Sequence, residues 1–105
     1  MPEFIYVLRP ERSTLLTDGP TEVERPILAR HFEYLAHLAE SGIVELAGRT
    51  LNTDETAFGL VVLHAEDEDE AHAIMDEDPA VVEGVMSATL FAYRVALRGK
   101  RPEGE

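Results

Sequence analysis

Residues 57–65 read Ala57-Phe58-Gly59-Leu60-Val61-Val62-Leu63-His64-Ala65, a run with apolar side chains on both parities of an extended chain. In such a strand Phe58, Leu60 and Val62 project to one side and Val61, Leu63 and Ala65 to the other, whereas a half-solvated strand alternates apolar with polar. This strand is therefore expected to be covered on both faces. Upstream, Ile43 to Leu51 alternates well enough for a strand and Asn52-Thr53-Asp54-Glu55 has turn chemistry, so the two strands form a hairpin. Downstream, Asp67 followed by Glu70 is a capping pattern. From there Ala71, Ile74, Met75 and Asp78 share one face of a short helix that ends at or near Pro79.

Further out, Thr21 and Glu24 form a second capping pattern, and Ile27, Leu28, His31, Phe32, Leu35, Leu38 and Ala39 recur at helical spacing until Gly42. Pro26 removes a backbone donor, so the regular part of this helix is expected to begin there. Phe4 to Arg9 is an aromatic and β-branched run stopped by Pro10, an edge or first strand, followed by a polar connector from Glu11 to Pro20. Ala88 to Leu97 is again strand-like. The order strand, helix, strand, strand, helix, strand predicts an α+β fold, a ferredoxin-like βαββαβ plait with an antiparallel sheet and two helices on one face. Two helices cover only one face of that sheet. The apolar second face is expected to meet a second copy of the chain, giving a homodimer through the sheet face in which two sheets pack as a dimeric α/β barrel.

The chain has 105 residues, 45% of them hydrophobic, and nine Lys plus Arg against 21 Asp plus Glu, a net charge of -12. One domain over residues 1–97 and a flexible tail over 98–105 account for that length. A field this negative repels phosphate backbones and anionic lipid, so neither nucleic acid nor a membrane is an expected partner. A small molecule and a second copy remain. The excess sits between Glu66 and Glu83, which holds nine acidic residues and no Lys or Arg. There is no cysteine, which removes disulfides, thiolate metal sites and cysteine nucleophiles. No signal-peptide pattern opens the sequence and no apolar run reaches the ~18 residues of a membrane span, so a cytoplasmic protein is expected.

Phase sorts the four histidines. His31 and His37 are about 600° of helix rotation apart and cannot share a metal. His37 falls on the polar side with Arg30 and Glu33, His72 lies in an acidic helix, and His64 ends a strand beside Glu66. His31 differs: it lies between Leu28 and Leu35 on the apolar face, where an unpaired imidazole loses solvation and needs a partner. A backbone carbonyl is one choice and a carboxylate another. Asp78 follows the apolar phase of its helix at the C-terminal end, where the dipole disfavours a carboxylate. Asp78-Pro79 can cap a short helix through Glu83, and the second carboxylate oxygen leaves room for a bond to a histidine. A histidine held by a carboxylate is a general base with its tautomer fixed. There is no G-x-S-x-G, phosphate loop or dinucleotide fingerprint, and no zinc or calcium spacing, so no metal site is expected.

Arg30-His31-Phe32-Glu33-Tyr34-Leu35, Ser41-Gly42-Ile43, Leu46-Ala47-Gly48, Phe58-Gly59-Leu60 and Asp78-Pro79-Ala80-Val81 with Gly84-Val85 resemble, in order, the YCII-related (YciI-like) proteins. The resemblance runs from the first strand to Tyr93-Arg94-Val95. It implies a dimeric ferredoxin-like α/β barrel, similar to muconolactone isomerases and chloromuconolactone dehalogenases, and a paired His and Asp as the active site, which fall on His31 and Asp78. Two departures bear on the pocket: Arg49 follows Gly48 where a proline is common, and Ala80 follows Asp-Pro where an aromatic is frequent. Arg49 is either a contact for an anionic substrate or an edge-strand arginine on an acidic surface. Tyr6 and Tyr34 either line the cavity or are core aromatics with their hydroxyls at its rim.

The resulting expectation is a small lyase or isomerase-like enzyme, dehydrohalogenase-like and without a cofactor. His31, oriented by Asp78, moves a proton next to a carbonyl of a small organic substrate, cyclic or halogenated. Its rival is a non-catalytic dimeric binding or accessory protein in which the same pair is a buried polar contact fixing the helix packing.

Overall fold

A computed structural model describes residues 1–100 of the chain. Its strands are β1 (Glu3–Pro10), β2 (Val44–Arg49), β3 (Gly59–His64) and β4 (Met86–Tyr93). The helical segments are α1 (Leu15–Asp18), α2 (Glu24–Glu40), α3 (Glu68–Asp76) and α4 (Pro79–Val82). The strands form one antiparallel sheet in the order β2-β3-β1-β4. This is the expected ferredoxin-like plait, with α2 and α3 as its two long helices. β4 runs from Met86 to Tyr93 instead of Ala88 to Leu97, and two further details differ from the sequence reading. β1 is not at an edge: it pairs along its whole length with β4 and from Glu3 to Leu8 with β3, and Pro10 is accommodated because it comes last. The connector from Glu11 to Pro20 contains the helical turn α1, which exists because Leu15 is buried against Ile27 and Val85.

Local chemistry sets the helix ends. The Thr21 hydroxyl accepts from the Glu24 amide at 3.1 Å and the Glu24 carboxylate accepts from the Thr21 amide at 2.8 Å, the reciprocal capping box. The box closes a turn in which Arg25 donates to the Thr21 carbonyl at 3.0 Å, and the regular helix starts at Glu24, two residues before Pro26. The proline falls in the first turn, where its missing N–H would have had no intrahelical partner. At the other end Gly42, with φ of 84°, donates to Ala39 and Ile43 donates to Leu38 at 2.9 Å, a Schellman closure that turns the chain into β2.

Between sheet and helices lies the core, built from Phe4, Tyr6 and Leu8 of β1, Val61 and Leu63 of β3, Leu35 of α2 and Met75 of α3. On the opposite side of the sheet no helix of the described residues packs. There the register sets Leu46, Val62, Ile5 and Phe91 side by side across all four strands. Of the tail expected over 98–105, residues 101–105 lie outside the described residues; Arg98 is bonded to Glu45 of β2 at 2.6 Å. No helix among the described residues is long and apolar enough to cross a membrane.

Candidate active site

Asp78 sits in the two-residue corner between α3 and α4. Its amide closes α3 on Met75, and its side chain caps α4 by accepting from the Ala80 amide at 3.0 Å, with Pro79 preset as the first helical residue. Gly84, with φ of 72°, ends α4 after a single turn in a second Schellman closure, Val85 donating to Ala80 at 2.9 Å. The corner is thereby rigid on both sides, and it packs against α2.

His31 of α2 faces this corner. Its Nδ1 lies 2.6 Å from Asp78 Oδ1, and on the other side the Tyr6 hydroxyl donates to Asp78 Oδ2 at 2.8 Å. Asp78 is fully buried, whereas the imidazole keeps 16% of its surface exposed. Burying a carboxylate costs several kcal/mol. Here three donors, from β1, α2 and α4, compensate, each hydrogen bond to a charged group contributing about 1.5–3 kcal/mol. Among the described residues no buried side-chain polar atom lacks a partner. A proton on Nδ1 shared with Asp78 leaves Nε2 as the nitrogen with a free lone pair.

His31 also lines a cleft of about 830 Å³ that opens between α2 and the helix-covered face of the sheet. Leu28 and Leu35 of α2 face Leu8, Val44 and Val61 of the sheet across it, so the interior is apolar, as small-molecule sites generally are. Phe32, 73% exposed, lines it with Phe58, and Arg49 is the one Lys or Arg among the described residues on its wall. Among the described residues Arg49 forms no salt bridge, and no group of acidic or histidine side chains is arranged to hold a metal ion.

The two tyrosines singled out in the sequence do not line this cleft. Tyr6 is fully buried and spends its hydroxyl on Asp78; burial first, then the charge of Asp78 and the bond to it, push its pKa well above the usual phenol value. Tyr34 donates to the Ile74 carbonyl at 2.6 Å and ties α2 to α3, with burial and the charges of Glu77 and Asp78 pushing its pKa up to about 12. Strand parity signals where Tyr6 points, since Phe4, Tyr6 and Leu8 alternate with less buried neighbours. Its partner, 72 positions away, has no local signal. Two of the other three histidines are bonded elsewhere: His64 to Glu45 rather than to the neighbouring Glu66, and His72 to Asp76 one turn on.

Among solved structures, the chain is similar in fold to 5-chloro-2-hydroxyhydroquinone dehydrochlorinase (TftG) from Burkholderia phenoliruptrix AC1100, in complex with 2,5-dihydroxybenzoquinone. The TM-score is 0.61 at 22% identity, over 87% of this chain and 93% of that one. No curated protein sequence matches. The YCII-related domain matches residues 4–91, which include all of the sheet but the outer ends of β1 and β4, the His31 and Asp78 corner and the cleft, and the chain belongs to that family.

Proposed function

We propose that this protein is a lyase or isomerase-like enzyme that needs no cofactor and uses His31 as a general base on a small cyclic or halogenated carbonyl compound. The observation that carries the reading is the 2.6 Å contact of His31 Nδ1 with the buried Asp78, on a histidine that lines an apolar cleft. In the step, Nε2 takes a proton from a carbon next to a carbonyl. The electrons of that C–H bond form a double bond, and the bond to a leaving group such as chloride breaks with its electron pair. In an isomerisation the imidazolium instead returns the proton to another carbon. Asp78 keeps the imidazole in the required tautomer and stabilises its cation, and Arg49 at the cleft wall attracts an anionic substituent of the substrate.

The fold neighbour acts on a chlorinated hydroxyhydroquinone, which makes chlorinated hydroxyhydroquinones the first compounds to assay. The reading expects chloride release by the wild type and a fall of about 10² to 10⁴-fold in His31→Ala, the usual worth of a general base. Undiminished turnover by a folded His31→Ala protein would refute it. The bridge that Asp78 makes between β1, α2 and α4 favours a second reading, a binding protein in which the pair only fixes packing. That reading expects ligand binding in the cleft with no turnover by the wild type on any such compound.

The functional unit we propose is a homodimer formed through the open sheet face, where Leu46, Phe91 and Tyr93 are 53%, 49% and 47% exposed. An apolar row running across four strands is unusual on a lone domain in water.

A further inference from the structure

Tyr6 is the least expected member of the cluster around Asp78. It reaches the carboxylate from the central strand, beneath both helices, and its complete burial separates it from the cleft. It therefore touches no substrate. Its hydroxyl is nevertheless the single side-chain partner of Oδ2, while Oδ1 serves both His31 and the Ala80 amide.

We infer that Tyr6 is a positioning residue of the His31 site: by donating to Asp78 it fixes the plane of the carboxylate and withdraws part of its charge, and so sets how strongly His31 holds a proton. The inference rests on the His31 and Asp78 site described above, but its consequence is legible in the imidazole itself. A carboxylate with three donors has its negative charge dispersed over all of them. Remove the phenol hydroxyl and Oδ2 is left buried without a partner, so Asp78 becomes a stronger acceptor and the imidazolium of His31 is favoured. The bond length of 2.8 Å and the burial of the pair make that exchange larger than at a wet surface. The remaining ionisable groups near the cluster are Tyr34 on α2 and Glu77 ahead of Asp78, with Arg30 of α2 and Glu83 after α4 at 3.9 Å from each other on the outside. None of them bonds to Asp78, so the Tyr6 hydroxyl can be removed without changing them.

The test is an NMR titration of the His31 ring nitrogens in the wild type, Tyr6→Phe and Asp78→Asn. Tyr6→Phe is expected to raise the His31 midpoint by about 0.5 to 1 pH unit, the equivalent of one net hydrogen bond. Asp78→Asn, which removes the charge, is expected to lower it. A tyrosine that merely fills the core would lower the stability of Tyr6→Phe and leave the His31 midpoint where it was. An unchanged or lowered midpoint in Tyr6→Phe overturns the inference. If Tyr6→Phe does not fold, 3-fluorotyrosine placed at position 6 reads the same effect with opposite sign. It is a stronger donor of nearly the same size and is expected to lower the midpoint, and no shift or a rise overturns the inference. Because the readout is protonation and not turnover, the outcome stands apart from whether the proposed reaction occurs.

Discussion

Asp78 is the one charged side chain that is buried among the described residues, although eight other acidic residues lie between Glu66 and Glu83. What separates it from them is partners: Glu68, Asp69 and Glu70 are solvated in the first turn of α3, where the helix dipole favours them, whereas Asp78 is held by three donors. Removing the carboxylate in Asp78→Ala strands the Tyr6 hydroxyl, the Ala80 amide and Nδ1 of His31 together. The expected cost is about 3–5 kcal/mol of folding stability, the usual penalty for breaking a buried pair, measured by urea denaturation. A loss below about 1 kcal/mol would contradict the buried cluster. The phenols of buried Tyr6 and half-buried Tyr34 give a pH dependence. Their protons are held more tightly in the folded chain than in the unfolded one, so their contribution is complete below the ordinary phenol value of 10.0 and is lost as pH rises above it, for Tyr34 up to about 12. The fall in stability between pH 9 and 11 is expected to be smaller in Tyr34→Phe than in the wild type. Equal slopes would refute it.

At the scale of elements, the ends of helices carry more of the architecture than their middles. Glycines at positive φ close α2 and α4 and send the chain into β2 and β4. At Gly84 an added Cβ would meet nothing within 4 Å, so Gly84→Ala tests backbone conformation alone. It is expected to cost about 1–2 kcal/mol, from the left-handed conformation an L side chain avoids. An unchanged unfolding midpoint would show that α4 does not need that turn. The start of α2 is coupled to pH. Glu24 accepts from Arg12 and from the Thr21 amide, which lowers its pKa from 4.5 to about 2. A depressed carboxylate contributes stability that is complete above pH 4.5 and disappears as pH falls through 2. The stability gap between the wild type and Glu24→Gln should therefore close on acidification, as read by thermal unfolding at pH 6 and pH 2.5.

At the scale of the whole molecule, the proposed homodimer is tested on the open face of the sheet. Phe91→Glu is expected to convert a dimer into a folded monomer in light scattering, since a charge within a sheet-on-sheet contact is costly to desolvate. A wild type that is monomeric at micromolar concentration, or a Phe91→Glu protein that stays dimeric, would exclude the sheet-face dimer. The distribution of charge is compatible with that contact. The acidic run follows β3 into α3 on the helix side, and the row of Leu46, Val62, Ile5 and Phe91 carries no charge.

Sequence alone determined the order of the strands and of the two long helices, the capping box at Thr21, the N-cap at Asp67 and the cap of α4 at Asp78, and phase singled out His31 and Asp78, whose pairing was what the family resemblance implied. These follow from interactions within a few residues or from a phase that repeats along one element. The helical turn α1 escaped such reading, because four residues have no periodicity and Leu15 is ordered only by Ile27 and Val85. The interior place of β1 escaped it too, since strand order is a matter of pairing between distant segments. Tertiary structure alone decided that Tyr6 and Tyr34 face the packing between elements, that Arg49 borders the cleft, and that His31, bonded through Nδ1 to Asp78, also lines an apolar cavity. Periodicity tells which side of an element a residue takes; which atom it meets there depends on segments up to 72 positions away, brought together by packing.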